Sequence, residues 1–282
     1  MGVFDAFRYD GKRVLVVGGA TGMGAAGVEV ALDAGAADVV VMDYAEVARD
    51  DVTAIPVNLA ERDSIDAALD ACGGPVHALF LCAGVADGTP GIERINYVGH
   101  RHLLERMLAE GMLPPGSAAC FISSSAGLGW EPSFMELTQL LDIDDFDAAA
   151  AWMRDRNKAD YMNTKQAVCA FVARDAMRFL THGVRINALC PGPTDTPLAR
   201  ANADVWLASG ADYRAEAGVE ASTPLEQAYP LAFLCSDAAA AIAGITLVSD
   251  AAWFSAGMTG AFPAATGIAE FLNGRPAPYQ PR

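Results

Sequence analysis

The feature that most constrains this sequence is a regular alternation of short apolar runs with helix-length amphipathic stretches. The apolar runs are rich in β-branched residues, which favour strands, and several of them have no polar face. A strand that is apolar on both faces must be covered on both sides, as in a parallel sheet flanked by crossover helices. The predicted strands cover residues 13–17, 39–43, 54–57, 78–82, 119–123, 184–189 and 245–248.

The stretches between these runs have the length and apolar spacing of helices. The predicted helices cover residues 24–34, 64–71, 93–110, 159–180 and 224–235. The alternation predicts an α/β fold with a single-domain, doubly wound parallel sheet of about seven strands, as in the Rossmann fold. Neither a repeat nor a low-complexity linker divides the sequence, so residues 1–282 are predicted to form one domain.

Two stretches, 128–158 and 193–222, interrupt this alternation. The first has apolar residues at helical spacing in two groups, which predicts an insertion of two short helices. Long connections of this kind are often functional. We interpret 193–222 as a substrate loop, and 128–158 as either a lid over the site or a subunit contact. The side chains expected to line an apolar pocket are Trp130, Phe134, Trp152, Met153, Trp206 and Tyr213.

Composition excludes several classes of function. The chain has 19 basic and 35 acidic residues, a net charge of −16, which opposes binding to nucleic acid or to an anionic membrane surface. Apolar residues make up 52% of the chain, so intrinsic disorder is excluded. The six cysteines are scattered without metal-site spacing, which favours reduced thiols in a cytoplasmic protein with no metal. No targeting segment is expected at the amino terminus.

A glycine-rich turn follows the first predicted strand. Gly18, Gly22 and Gly24 fall where backbone N–H groups and a helix N-terminus can approach a pyrophosphate. Asp43 ends the second predicted strand, 19 residues after the last of these glycines. An acidic residue about 20 positions on is the expected acceptor for ribose hydroxyls. This arrangement predicts a dinucleotide site, and an anion at Asp43 favours NAD over NADP.

The spacing of these glycines and the order of later motifs resemble those of the short-chain dehydrogenase/reductase family. The similarity spans about residues 12–250 and is closest to the 3α-hydroxysteroid dehydrogenase/carbonyl reductase type, which also has a long insertion before the tyrosine. The later motifs are Cys82-Ala83-Gly84, Asn96-Tyr97, Ser123-Ser124-Ser125, Tyr161-x-x-x-Lys165 and Pro191-Gly192.

The sequence departs from the family pattern at three places. Cys82 replaces a sheet-stabilising asparagine, and Asn58-Leu59 replaces an aspartate-led pair at the adenine pocket. An amide oxygen at Asn58 can still accept a hydrogen bond from the adenine amino group. Asp250-Ala251-Ala252 replaces Asp-Gly-Gly, so the final turn is expected to differ.

Tyr161 and Lys165 are four positions apart, which places them on one face of a helix. A phenol titrates near 10 in water, too high for a general base at neutral pH. A neighbouring ammonium and a cationic nicotinamide would both lower the pKa of Tyr161, so that it could accept the proton of an alcohol. The resemblance implies that Lys165 also binds the nicotinamide ribose.

The resemblance also implies two further catalytic residues. Ser124, three positions before Gly127, is the expected serine that orients the substrate oxygen, with Ser125 as the alternative. Asn96 is the expected residue that holds a water between Lys165 and solvent, and an asparagine there can also mark a kink in a helix. The expected cofactor-binding residues are Gly18, Thr21, Gly22, Met23, Gly24, Asp43, Asn58, Leu59, Cys82, Ala83, Gly84, Tyr161, Lys165, Pro191, Gly192, Thr194 and Thr196.

The sequence therefore predicts an NAD-dependent oxidoreductase that interconverts a secondary alcohol and a ketone. A bulky apolar substrate such as a hydroxysteroid is the first expectation, and an aryl or terpenoid alcohol is the alternative. The alternative hypothesis from a different functional class is a catalytically silent scaffold or redox sensor that binds NAD. By resemblance the chain is expected to form a homo-oligomer, either a dimer or a tetramer.

Overall fold

The computed structural model describes residues 2–278 and has one seven-stranded sheet. Its order is β3-β2-β1-β4-β5-β6-β7, and every neighbouring pair is parallel. The prediction of a doubly wound parallel sheet is confirmed, with strand ends within two residues of those expected. The strands are β1 (Arg13–Val17), β2 (Asp38–Asp43), β3 (Thr53–Pro56), β4 (Ala78–Leu81), β5 (Ala118–Ile122), β6 (Arg185–Pro191) and β7 (Thr246–Ser249).

Helices cover both faces of the sheet and give two apolar cores. Residues of α1 and α10 pack on one face, and residues of α2, α3 and α6 pack on the other. The helices are α1 (Gly22–Asp33), α2 (Arg62–Cys72), α3 (Gly99–Ala109), α4 (Phe134–Leu141), α5 (Phe146–Asp155), α6 (Tyr161–Leu180), α7 (Pro197–Ala201), α8 (Ala203–Trp206), α9 (Ala211–Ala217), α10 (Pro224–Cys235), α11 (Trp253–Thr259) and α12 (Thr266–Asn273). A π-helical turn, Arg94–Val98, precedes α3, and a 3₁₀ segment, Ser125–Trp130, follows β5.

The insertion forms the two predicted helices, α4 and α5, and is fixed to the body of the domain. Arg101 of α3 donates to the carbonyl oxygens of Ile143 (2.8 Å) and Leu141 (3.0 Å). Arg174 of α6 donates to the same Leu141 oxygen (2.9 Å) and to the Asp142 carboxylate (2.7 Å). Two arginines from different helices therefore satisfy carbonyls at the end of α4, which otherwise would have no partner.

The expectation that the insertion is a lid is not supported by this packing. Trp152 is 7% exposed and Met153 is fully buried, and both join the core formed with α3 and α6. Phe134 packs against the edge of the same core. These side chains face the core because their helices bury one apolar side against it. Trp152 and Met153 are therefore unavailable to a substrate.

We expect Met153→Ala to lower the free energy of unfolding by about 2–5 kcal/mol, since it leaves a cavity in a close-packed core. Urea denaturation measures this loss. The ratio of kcat/KM for large and small alcohols should stay the same, because the side chain does not reach the substrate cleft. A selective loss of activity toward large alcohols would restore the lid interpretation.

The chain after β7 folds back over the carboxyl ends of the strands. Trp253 of α11 and Leu272 of α12 pack with Ala126, which lies in the 3₁₀ segment after β5. This brings an apolar wall to the edge of the sheet where β4, β5 and β6 end. Within residues 2–278, no helix is both long enough and apolar enough to span a bilayer.

Candidate active site

The glycine-rich turn after β1 lies in close contact with the loop after β4. Gly18 has a φ of +85°, and a Cβ there would lie 2.3 Å from the backbone nitrogen of Ala83. A Cβ on Gly24 would lie 1.9 Å from the carbonyl oxygen of Gly18. Only glycine fits at either position, so the turn is tight enough to bring backbone N–H groups to a phosphate at the start of α1.

Asp43, at the end of β2, faces this turn. One carboxylate oxygen accepts a hydrogen bond from the Ala20 N–H (2.8 Å), and the other accepts from the Ala45 N–H (2.9 Å). Arg49, in the loop that follows β2, is paired with Asp51 (2.8 Å) and lies 3.7 Å from Glu29. The end of β2 therefore presents a negative charge, and no lysine or arginine is among the described residues that line the groove beside it.

A groove of about 500 Å³ runs along the carboxyl ends of β1, β2 and β4. Asn58 lies in its wall, where its amide oxygen accepts from the Ala60 N–H (3.0 Å) and its amide nitrogen donates to Glu61 (2.9 Å). A carbonyl oxygen has a second lone pair, so Asn58 can still accept from an adenine. The predicted cofactor-binding residues that line the groove are Gly18, Thr21, Gly22, Met23, Gly24, Asp43, Asn58, Leu59, Cys82, Ala83, Gly84 and Thr196.

A second cavity, of about 310 Å³, adjoins the groove and is called the cleft below. The two share lining residues, which makes them one continuous space. The shared residues are Met23, Cys82, Gly84, Thr196 and Leu198. Three of the four predicted catalytic residues line the cleft, namely Ser124, Tyr161 and Lys165. The remaining predicted cofactor-binding residues, Pro191, Gly192 and Thr194, also line it.

Tyr161 is the first residue of α6, and Lys165 lies one turn later. Asp160 caps the helix by accepting from the Asn163 N–H (2.8 Å), which fixes where the helix starts. The Lys165 Nζ lies 5.5 Å from the centre of the Tyr161 ring and donates to the carbonyl oxygen of Ile122 (2.8 Å). The predicted pairing of a phenol with an ammonium on one helical face is therefore present.

Burial shifts the pKa of both side chains. It raises the pKa of Tyr161 to about 12, although a hydrogen bond with Ser124 acts in the opposite direction. It also lowers the pKa of Lys165 to about 8. Loss of water around the phenol therefore raises the Tyr161 pKa, and the lowering expected from Lys165 together with a bound cationic nicotinamide stays a prediction.

The three serines after β5 have different surroundings. Ser123 is buried and donates to the carbonyl oxygen of Lys165 (3.0 Å), so it supports α6. Ser124 accepts from the Ala126 N–H (3.2 Å) as the cap of the 3₁₀ segment, and it lines the cleft with Ser125. The contact between Ser124 and Tyr161 distinguishes it from both neighbours.

Asn96 is buried in the π-helical turn before α3 and does not line the cleft. Its amide oxygen accepts from the Val85 N–H (2.8 Å), and its amide nitrogen donates to the Val85 carbonyl (3.0 Å). The same nitrogen lies 3.4 Å from the Thr164 hydroxyl. Asn96 therefore joins the loop after β4 to α6, and the irregular helix predicted at this residue is present as the π turn.

The turn after β7 has a left-handed backbone conformation that favours glycine, although alanines occupy it. Ala251 and Ala252 have φ values of 53° and 68°, a left-handed conformation that costs an L-residue roughly 1–2 kcal/mol. Asp250 offsets part of this cost by accepting from the Phe254 N–H (2.8 Å). The contacts around Asp250 hold the turn in this conformation, and the expected difference from the family turn stays a prediction.

The expected apolar lining is only partly correct. Of the aromatic and Met side chains predicted there, Trp206 lines the cleft, with its ring centre 4.8 Å from that of Tyr161. Tyr213 instead donates to the Ala251 carbonyl (2.7 Å) outside the cleft. Sequence reasoning did not name several lining residues, among them Asp87, Met162, Trp253, Ile268 and Leu272. The signal available for the last three was the apolar spacing of α11 and α12.

Known proteins share this architecture along most of the chain. A family model described as enoyl-(acyl carrier protein) reductase matches residues 145–253. The cis-4-hydroxycyclohexanecarboxylate dehydrogenase of Sinomonas cyclohexanicum is 30% identical over 254 residues, which cover 85% of this chain and 95% of the relative. The 3-alpha-hydroxysteroid dehydrogenase/carbonyl reductase of Comamonas testosteroni is 30% identical over 250 residues, 84% and 94% of the two chains.

A solved dehydrogenase structure has the same fold as this chain. The 3-alpha-hydroxysteroid dehydrogenase of Pseudomonas sp. B-0831, crystallised with NADH, superimposes with a TM-score of 0.67 at 27% identity, covering 85% of this chain and 96% of that one. The fold, the site and these relatives define an oxidoreductase that acts on alcohol and ketone substrates. The chain belongs to the short-chain dehydrogenase/reductase family, as its motifs predict.

Proposed function

We propose that this protein oxidises a bulky, apolar secondary alcohol, or reduces the matching ketone, with NAD(H) as cofactor. The observation that carries the proposal is that the groove opens, through shared lining residues, into the cleft that holds Tyr161 and Ser124. A substrate oxygen at this junction would meet two hydroxyl groups beside the end of a dinucleotide groove. The close contacts at Gly18 and Gly24 fit a pyrophosphate, since a Cβ at either glycine would fill the turn.

A nicotinamide dinucleotide in the groove supplies the hydride acceptor for the alcohol, or the hydride donor for the ketone. Tyr161 takes the alcohol proton in oxidation and returns it to the ketone oxygen in reduction. Ser124 donates a hydrogen bond to the same oxygen and orients it. Lys165 stabilises the phenolate through its positive charge, and Asn96 positions the loop that faces α6.

The cleft supports an apolar substrate, because aliphatic and aromatic side chains make up its walls. Those beyond Tyr161 are Met162, Leu198, Val205, Trp206, Trp253, Ile268 and Leu272. A hydroxysteroid remains the first expectation, and an aryl or terpenoid alcohol is the alternative.

Three further properties stay predictions: a homo-oligomer, a single domain over 1–282 and a cytoplasmic location. Light scattering measures the number of subunits.

The direct test mixes the purified protein with NAD and a panel of hydroxysteroids, aryl carbinols, monoterpenols and small secondary alcohols. Appearance of NADH absorbance, with higher kcat/KM for the large apolar alcohols, supports the proposal. Binding of NAD without turnover of any alcohol or ketone would favour a catalytically silent protein instead.

The role of Ser124 makes a separate prediction. Ser124→Ala should lower kcat by about 10²-fold or more, since it removes a hydrogen bond made to the reacting oxygen. Ser125→Ala is the matched control, because it removes a hydroxyl from the next residue of the same cleft. We expect a loss of less than about threefold for Ser125→Ala, and steady-state kinetics with one alcohol compares them. The reverse order of effects would move the assignment to Ser125.

A further inference from the structure

The cleft has an asymmetric distribution of charge. Among residues 2–278, the charged side chains that line it are Lys165 and Asp87. Lys165 is 3% exposed and its Nζ is held by the carbonyl oxygen of Ile122 (2.8 Å), so it lies at the floor. Asp87 is exposed to solvent at the opening. A substrate that reaches past Tyr161 toward solvent therefore meets apolar walls and one carboxylate.

Asp87 is fixed in this position by the catalytic helix. Its Oδ1 accepts the backbone N–H of Tyr161 (2.6 Å), the first N–H of α6. The carboxylate thus satisfies one of the N–H groups left free at a helix start and is favoured by the helix dipole. The charge cannot swing away from the opening without losing this hydrogen bond.

From this placement we propose that Asp87 is a specificity-determining residue that excludes substrates carrying a carboxylate and restricts the enzyme to neutral alcohols and ketones. The inference rests on the proposed function and narrows its substrate class. A substrate carboxylate would lose water in an apolar cleft and approach the charge of Asp87, and the described residues that line the opening offer it no cation. The net charge of −16 adds long-range repulsion.

This preference would separate the protein from one relative whose name includes a carboxylate substrate, the cis-4-hydroxycyclohexanecarboxylate dehydrogenase. The test therefore uses two probes of equal size, cis-4-hydroxycyclohexanecarboxylate and its carboxamide. We expect kcat/KM for the carboxamide to exceed that for the carboxylate by about tenfold or more, as about 1.4 kcal/mol of repulsion gives.

Asp87→Asn removes the charge and keeps an oxygen that can accept the Tyr161 N–H. The ratio of kcat/KM for carboxylate over carboxamide should rise about tenfold in this variant. Asp33→Asn is the matched control, because it removes one charge from an exposed residue of α1 outside the cleft lining. The control should leave the ratio at the wild-type value.

A second readout follows from the same contact. The charged and titratable groups around the Tyr161 hydroxyl are Lys165, Asp87 and Cys190, and Asp87 raises the pKa of Tyr161. Asp87→Asn should therefore move the alkaline rise of alcohol oxidation to lower pH. A residue that served only to hold the loop would leave the pH profile in place.

Equal kcat/KM for the two probes in the wild type, or the same ratio in Asp87→Asn and Asp33→Asn, would overturn the inference. If neither probe is oxidised, the proposed function fails for this substrate size, and the inference is then decided by binding. Quenching of the fluorescence of Trp206 and Trp253, which line the cleft, measures the affinity for each probe. Equal affinities for the carboxylate and the carboxamide would refute the role of Asp87.

Discussion

Tyr161→Phe should lower kcat for alcohol oxidation by about 10²–10⁴-fold, the range for loss of a general acid–base group. The variant removes one oxygen atom and keeps the ring that packs against Trp206 at 4.8 Å. Affinity for NAD, measured by fluorescence titration, should change by less than about threefold. Turnover close to wild type in a folded variant would contradict the assignment of Tyr161 as the proton acceptor.

The pH dependence of the wild type follows from the same residue. Burial raises the pKa of Tyr161 to about 12, so the phenolate that accepts a proton becomes more abundant as pH rises. Oxidation should therefore accelerate from neutral to alkaline pH. Reduction needs the protonated phenol, which predominates below this pKa, so its rate should stay level or fall over the same interval. Both rates are measured as kcat/KM, and an oxidation rate that falls with pH would oppose the mechanism.

A preference for NAD over NADP is the second large effect that we expect. Asp43 would face the 2′-phosphate of NADP, and Arg49 is already paired with Asp51. Two charges about 4 Å apart near a protein surface repel by about 4 kcal/mol, and partial exposure of Asp43 reduces this value. We expect kcat/KM for NAD to exceed that for NADP by about 100-fold. Asp43→Ala combined with Tyr44→Arg should remove most of this difference.

Asp43→Asn is the control that separates the charge of Asp43 from its hydrogen bonds with the backbone N–H groups of Ala20 and Ala45. It removes the charge but keeps a side-chain acceptor, so it should weaken discrimination with less damage to the turn. Measurements of kcat/KM with each cofactor compare the variants. Equal values for NAD and NADP in the wild type would contradict the prediction.

The fold was predictable because its determinants are local along the chain. Apolar runs marked all seven strands, and the apolar spacing around Phe134 and Phe146 marked the two insertion helices. The predicted start of the helix at 224 is also correct, and Thr223 caps α10 by accepting from the Glu226 N–H (3.2 Å). The residues brought to the groove and the cleft followed from the order of family motifs, so they too could be named.

What the sequence did not reveal depends on contacts between distant segments. Asp87 looks like an ordinary loop acid until the fold brings it to the N–H of Tyr161, 74 positions away. The insertion resembled a lid because its apolar side could face a core or a ligand with the same pattern. The direction of the Tyr161 pKa shift depends on how much water reaches the phenol, which spacing does not encode.

The wall formed by α11 and α12 lies outside the sheet and after every residue proposed for catalysis. Part of the apolar cleft wall therefore belongs to a segment that holds none of the residues proposed for catalysis. Mutations in this wall can change which alcohol fits while Tyr161, Lys165 and Ser124 stay unchanged. This segment of about 20 residues can therefore be varied, in evolution or by protein engineering, to change substrate specificity while the catalytic residues are kept.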